Sequence, residues 1–99
     1  MSTTPKNIGV VGSMSNLSVG ETTVVDAPSI DRKTNLCFVD IQDQDVYVTF
    51  DESAPSSSAG HRLVSGRDYL FYAGMFKTAK FLSVTGTAIV GITQLNGYA

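Results

Sequence analysis

The sequence predicts an all-β fold, a small antiparallel β-sandwich that is jelly-roll-like and carries an extended N-terminal arm. Six or seven short strand-like segments follow one another at a spacing of roughly 8 to 12 residues, with turn residues between them. No segment keeps a helical period over ten residues, so the crossover helices of an α/β fold are missing. A chain of 99 residues has the size of one compact domain.

The arm is predicted over residues 1–20 and the sandwich domain over residues 21–99. Twelve of the first twenty residues are Ser, Thr, Gly, Asn or Pro, too polar a set to form a core of their own. Two interpretations are open for this segment. It is either a frayed terminus, or a strand that adds Ile8, Val10 and Val11 to the sheet edge of a neighbouring subunit.

The first half of the domain holds three predicted strands. Residues 21–27 are rich in β-branched side chains and end before Pro28. Residues 36–41 form a nearly continuous apolar run, typical of a strand that is buried on both faces. Residues 45–51 alternate, with Val46, Val48 and Phe50 on one face, as a half-buried strand requires.

The second half begins with a polar surface loop over residues 52–60, which is rich in Ser and Ala. An aromatic strand is predicted over residues 68–73 and one helical turn over 75–79. Two closing strands, 80–84 and 87–95, flank Thr85-Gly86, a pair typical of a tight hairpin. Gly91, inside the last strand, indicates a bulge or a close approach of another group to the backbone.

Charge and composition argue against several partners. The net charge is −2 and the isoelectric point is about 5.0, which gives no basic surface for nucleic acid or an anionic membrane. Residues 1–52 sum to −5 and residues 53–99 to +3. If the fold separates these halves, copies of the chain can meet with complementary charge; if the strands interleave, the charges mix.

No catalytic, cofactor-binding or metal site is expected. The only histidine, His61, lies beside a Ser-rich loop without a nucleophile motif, so a loop role is favoured over catalysis. One Cys, Cys37, and one His cannot supply a zinc site. Five acidic residues lie within thirteen positions of the chain. A solvated acidic turn is the favoured interpretation, and a set of oxygen ligands for a hard cation is the alternative. The five residues are Asp40, Asp43, Asp45, Asp51 and Glu52.

Aromatic residues have two predicted roles. Four phenylalanines fall in strands and are predicted to pack in the core: Phe38, Phe50, Phe71 and Phe81. Three tyrosines are the candidates for an exposed platform that stacks on sugars or bases: Tyr47, Tyr69 and Tyr72. The RNA-binding strand motif, with a basic residue, glycine and aromatics in order, does not occur.

The order of elements from Arg32 to Leu95 resembles a family of small β-sandwich proteins encoded in the structural-gene regions of tailed phages and prophages. The shared pattern is an Arg before an apolar strand, a V-Y-V-x-F strand, a Ser/Ala-rich loop, a Leu-x-x-Gly turn and a closing hairpin. These elements read Arg32, Val46 to Phe50, residues 53–60, Leu63 to Gly66, and Gly86-Thr87-Ala88-Ile89-Val90-Gly91-Ile92.

The resemblance implies a non-enzymatic virion protein, such as a capsid decoration or cement protein that binds the major capsid protein. It also implies a homo-oligomer, with a trimer favoured, on the capsid surface of a particle whose proteins are made in the host cytoplasm. A head-fibre, tail or vertex component is the first alternative. A module that binds sugars or a host surface through loop 52–60 and exposed tyrosines is the second. Met75 and Phe76 join Ile8, Val10 and Val11 as candidate interface residues, although Met75 and Phe76 equally fit a corner of the core.

Overall fold

A computed structural model describes residues 9–12 and 14–97 of the chain. Within them the chain forms nine β-strands in two antiparallel sheets and one helix of four residues, α1 (Ala73–Phe76). The strands are β1 (Gly9–Val10), β2 (Ser15–Val19), β3 (Val25–Asp26), β4 (Leu36–Gln42), β5 (Val46–Thr49), β6 (His61–Leu63), β7 (Asp68–Tyr72), β8 (Lys80–Ser83) and β9 (Ala88–Asn96). The all-β fold class predicted from the sequence is therefore confirmed.

The first sheet has the strand order β1-β9-β4-β7, and β2 pairs with β9 beside β1. The second sheet has the order β3-β8-β5-β6. The nine-residue β9 organises the first sheet, because β4 pairs along one of its sides and β2 and β1 follow each other along the opposite side.

The core lies between the two sheets in a sandwich-like arrangement. On β4 every second side chain faces it, so that Cys37, Val39 and Ile41 are buried. Val48 and Phe81 reach the same cluster from the second sheet, and both are fully buried. Each large apolar side chain buried in this way contributes about 1.5 to 3 kcal/mol to folding.

The segment predicted as an arm belongs to the domain's own sheet in its described part. Leu17 lies opposite Val90 and Val19 opposite Ala88, so β2 runs along β9 of the same chain. Val19 is fully buried in the core, and the carbonyl of Gly20 accepts a hydrogen bond from the Ser83 N–H. The boundary drawn between residues 20 and 21 is thus corrected: β2 fills a position in the core.

A buried amide joins β9 to the loop before β4. The side-chain oxygen of Gln94 accepts hydrogen bonds from the Asp31 N–H and the Thr34 hydroxyl, both at 2.8 Å. Its amide nitrogen donates to the Ser29 carbonyl at 3.0 Å. Because a buried polar group without a partner is costly, these three bonds fix the loop and β9 together.

The hairpin predicted at Thr85-Gly86 is wrong. β8 lies in the second sheet, between β3 and β5, whereas β9 lies in the first. Both long sides of β9 are occupied by other strands, so β8 has no edge of β9 to pair with. The turn instead carries the chain from one sheet to the other, with Gly86 at a φ of 61°.

The other predicted elements differ mainly in length. The strand predicted over residues 21–27 is reduced to Val25–Asp26. The strand predicted over residues 45–51 is present as β5, where Val46 and Val48 are buried and Tyr47 is half-buried, but the alternation stops at Thr49, which is buried too. The helical turn predicted over 75–79 begins two residues earlier, at Ala73.

Gly60 lies directly before β6, at a position with no room for a side chain. Its φ is 109°, a conformation that residues with a side chain rarely adopt. An added Cβ would overlap the backbone carbonyl oxygen of Val48 on the neighbouring β5. Since a strand backbone cannot move aside as a flexible side chain can, this position requires glycine.

We expect Gly60→Ala to lower the free energy of unfolding by about 2 to 4 kcal/mol, through backbone strain and the overlap with Val48. Urea titration followed by circular dichroism measures the change. Gly74→Ala is the matched control, because Gly74 lies in α1 with open space around its α-carbon, and alanine there is neutral or stabilising. Equal stability of the two variants would contradict this account of Gly60.

Candidate functional site

The outer face of the first sheet carries a row of apolar side chains across four strands. Residues opposite one another in antiparallel strands project from the same face of a sheet. Val10 of β1 lies opposite Leu95 of β9, and Leu95 lies opposite Leu36 of β4. Leu36 in turn lies opposite Tyr72 of β7, which completes the row.

A second row follows two residues along the strands. Phe38 on β4 has Thr93 of β9 on one side and Leu70 of β7 on the other. Together the two rows define a surface that we call the apolar face. It consists of Val10, Leu36, Phe38, Leu70, Tyr72 and Leu95.

Four of the six residues of the apolar face are exposed to solvent, and Leu36 and Leu95 between them are half-buried. Tyr72 keeps 75% of its accessible surface, Val10 62%, Leu70 58% and Phe38 39%. Single exposed apolar residues are ordinary, but a contiguous exposed patch of this kind in a folded domain is typical of an interaction site.

Polar residues bound the apolar face along the same strands. The next row brings together Asn16, Gly91, Asp40 and Asp68. The Asp40 carboxylate lies over the backbone of Gly91, where a Cβ would overlap it, and it accepts a hydrogen bond from the Gln42 amide at 2.5 Å. The close approach predicted at Gly91 is therefore present. The apolar face occupies one end of the sheet, with a polar edge at its border.

The outer face of the second sheet is different in character. Lys80 of β8 forms an ion pair with Asp26 of β3 at 2.7 Å. Arg62 of β6 lies opposite Tyr47 of β5, and Tyr47 lies opposite Leu82 of β8; both Tyr47 and Leu82 are half-buried. Ion pairs are suited to water, so this surface resembles an ordinary solvated sheet.

The predicted interface residues fall in different places. Val10 belongs to the apolar face, and Val11 beside it is half-buried and donates its N–H to the Gln94 carbonyl. Met75 is exposed on α1. Phe76 is fully buried against Phe71, with ring centroids 5.7 Å apart, so its assignment to an interface is corrected to the core. Ile8 lies outside the described residues.

The three candidate tyrosines do not form one platform. Tyr47 lies on the second sheet and Tyr72 on the outer face of the first. The ring of Tyr69 stacks on Phe71, and its hydroxyl accepts the Val64 N–H at 2.8 Å. Only Tyr72 joins a larger exposed apolar surface.

An open cavity of about 470 Å³ lies under loop 52–60, lined in part by Phe50, Asp51 and His61. The Asp51 carboxylate accepts hydrogen bonds from the hydroxyl and the N–H of Ser53, which lower the pKa of Asp51 below its usual value. The Ser53 carbonyl accepts the Thr49 hydroxyl at 2.5 Å. These polar groups hold the loop in its conformation.

The crowded acidic residues have separate partners. Asp40 accepts from Gln42, Asp51 from Ser53 and Asp45 from Arg62. In the described part of the chain, no three His, Cys, Asp or Glu side chains come together in a group that could hold a metal ion.

Sequence comparisons with protein-family models and curated proteins found no match, and structural comparison with solved structures found none. Among the described residues no helix has the length and hydropathy to cross a membrane.

Sequence analysis missed the apolar face because it predicted that residues 36–41 are buried on both sides. In the structure β4 alternates: Cys37 and Val39 face the core, whereas Leu36 and Phe38 face outward. Phe38, predicted as a core residue, is thus corrected to the surface. The apolar run itself was the signal that could have revealed the face. A strand with one side in water needs apolar residues only on its buried side, so apolar residues on both sides indicate that the outer side is covered as well.

Asp45, in the turn before β5, is hydrogen-bonded to β6 and to the turn that follows it. Its carboxylate accepts the Ser65 N–H at 2.7 Å and the Arg62 Nε–H at 2.9 Å. These contacts, the backbone N–H first, hold the pKa of Asp45 below its ordinary value of 3.8. Because the folded pKa is lower than the unfolded one, Asp45 stabilises the fold above pH 3.8, and this contribution is lost as the pH falls further.

We expect Asp45→Asn to unfold at a lower urea concentration than the wild type near neutral pH. The difference should shrink as the pH falls below 3.8, because the wild-type carboxyl then becomes protonated too. Asp43→Asn is the control, since Asp43 is exposed with a φ of 73°, which asparagine also adopts. A constant difference between wild type and Asp45→Asn at every pH would rule out the carboxylate as its source.

Proposed function

We propose that this chain is a non-enzymatic structural protein of a bacteriophage virion. In this proposal it is a capsid decoration or cement protein that binds the major capsid protein on the capsid surface. The observation that carries the proposal is the apolar face. A domain with a solvated second sheet and an exposed apolar first sheet is built to be covered by another protein on one side.

The nature of the face suits adhesion without chemistry. Burying exposed apolar surface contributes about 25 cal/mol for each Å² removed from water. Phe38, Leu70 and Tyr72 provide large side chains on rigid, paired strands, so little ordering entropy is lost on binding. A protein that binds only the assembled shell stabilises that shell by mass action.

We further propose that the fold is a jelly roll. The strand pairs are nested, with β2 on β9, β3 on β8, β4 on β7 and β5 on β6. This nesting supports a rolled-up double sheet, the arrangement used by viral capsid and lectin domains. A fold alone does not define a function, and the virion setting rests on the resemblance of residues 32–95 to phage structural proteins.

The position on the particle follows the same reasoning. A head-fibre, tail or vertex protein would use the apolar face as well, but with few copies in each particle.

The second alternative, a module that binds sugars or a host surface, is favoured by one observation. The cavity under loop 52–60 places an aromatic ring, Phe50, beside the carboxylate of Asp51 and the imidazole of His61.

The proposal predicts that particle binding depends on the apolar face. We expect the double variant Phe38→Ser with Leu95→Ser to lose most sedimentation with phage heads that lack the native protein. Both residues point outward from paired strands, so the variant should still fold. Circular dichroism checks this.

The matched control is Tyr47→Ser with Leu82→Ser, which likewise replaces one aromatic residue and one leucine, here on the outer face of the second sheet. We expect this control to sediment with the heads as the wild type does. Equal binding by both double variants would refute the role of the apolar face. Binding to a glycan array together with no binding to heads would favour the sugar-binding alternative.

A further inference from the structure

The strand β7 forms an outer edge of the first sheet. It pairs with β4 on one side, and within residues 9–12 and 14–97 no strand pairs with its other side. Free edges can pair with another chain, and proteins usually block them with lysine, proline or very short strands. At five residues β7 is not short, and residues 69–72 carry neither a charge nor a proline.

The backbone of β7 offers a regular set of hydrogen-bonding groups at this edge. Ile41 donates its N–H to the Arg67 carbonyl, so the odd-numbered residues of β4 direct their backbone groups at β7. Their partners are Tyr69 and Phe71. Asp68 and Leu70 therefore point their N–H and C=O groups away from β4, and Tyr72 points its N–H away, while the Tyr72 carbonyl accepts the first hydrogen bond of α1.

We propose that two copies of the chain pair antiparallel through β7, on a two-fold axis at Leu70. In this register Leu70 lies opposite Leu70 of the other copy, and Asp68 lies opposite Tyr72 of the other copy. All three outward-facing residues of each strand then meet outward-facing residues of the other. The N–H and C=O groups of Leu70, the Tyr72 N–H and the Asp68 carbonyl then find partners in a symmetric interface.

Charge favours this register over its neighbours. Asp68 is the one charged residue of β7, and like charges placed directly opposite each other destabilise a strand pair. The axis at Leu70 sets each Asp68 against a phenol, which can donate a hydrogen bond to the carboxylate. The other free edge of comparable length, β2, presents the polar side chains of Asn16 and Ser18 instead.

The pairing also extends the apolar face. Leu70 and Tyr72 lie at the seam, so the two apolar faces join into one surface across both copies. This dimer goes beyond the proposed function and does not depend on a virion. We propose it in place of the trimer that the resemblance to phage structural proteins implies. Edge pairing buries less than the ~800 Å² per partner of a standard interface, so dissociation at low concentration is expected.

Sedimentation equilibrium of the purified protein over a wide concentration range tests the proposal. We expect a mass of twice 10.5 kDa at high concentration. Leu70→Lys should shift the protein to monomer, because two lysines would face each other at the axis. Ser18→Lys places the same charge on the exposed β2 edge and should leave the dimer intact.

Cross-linking tests the register. Leu70→Cys should form a disulfide-linked dimer on oxidation, since paired residues lie about 5.5 Å apart between Cα atoms, within disulfide range. Tyr72→Cys should not, because the two copies of residue 72 are about 13 Å apart along the strand. Every variant also contains the native Cys37, which is buried. Oxidation of the wild type shows whether Cys37 alone forms a cross-link.

A monomeric or trimeric mass at every concentration, or a dimer that Leu70→Lys leaves unchanged, would overturn the proposal. Cross-linking of Tyr72→Cys as readily as Leu70→Cys would overturn the register. These measurements use the isolated protein, so their failure would leave the binding of phage heads to be judged separately.

Discussion

The structure depends on β9 having a strand on both sides. Its inward side chains, among them Val90 and Ile92, are buried in the core, and its backbone bonds to β4 on one side and to β2 and β1 on the other. The buried amide of Gln94 adds the loop before β4 to the same strand. The ends of the described chain and its middle are thus held by one strand.

This arrangement is the background to the difference between the outer faces of the two sheets, one apolar and one with ion pairs. Because both sides of β9 are occupied, β8 pairs elsewhere and the second sheet closes the core from the opposite side. The second sheet then meets water with ion pairs on its outer face. The first sheet keeps large apolar side chains on both faces at one end, which suits a strand system that contacts the core on one side and another protein on the other.

Local patterns in the sequence predicted the strands but not their partners. The alternation of Val46, Tyr47 and Val48 is sufficient to predict β5, because a half-buried strand has a period of two. Thr85-Gly86 has the local chemistry of a hairpin, yet the sheet in which β8 lies is decided by which edges remain free. The apolar run at residues 36–41 has the same composition whether its outer side is covered within the chain or by another protein, so the run signals a covered outer side at Phe38 but not what covers it.

The copy number of this polypeptide in purified virions is the most decisive test of the proposed role as a capsid decoration protein. Quantitative mass spectrometry against the major capsid protein measures it. We expect a number comparable to that of the major capsid protein, as a decoration protein spread over the shell requires. A small fraction of that number would contradict decoration of the shell and indicate a vertex, fibre or tail, and absence of the chain from virions would contradict the structural role itself.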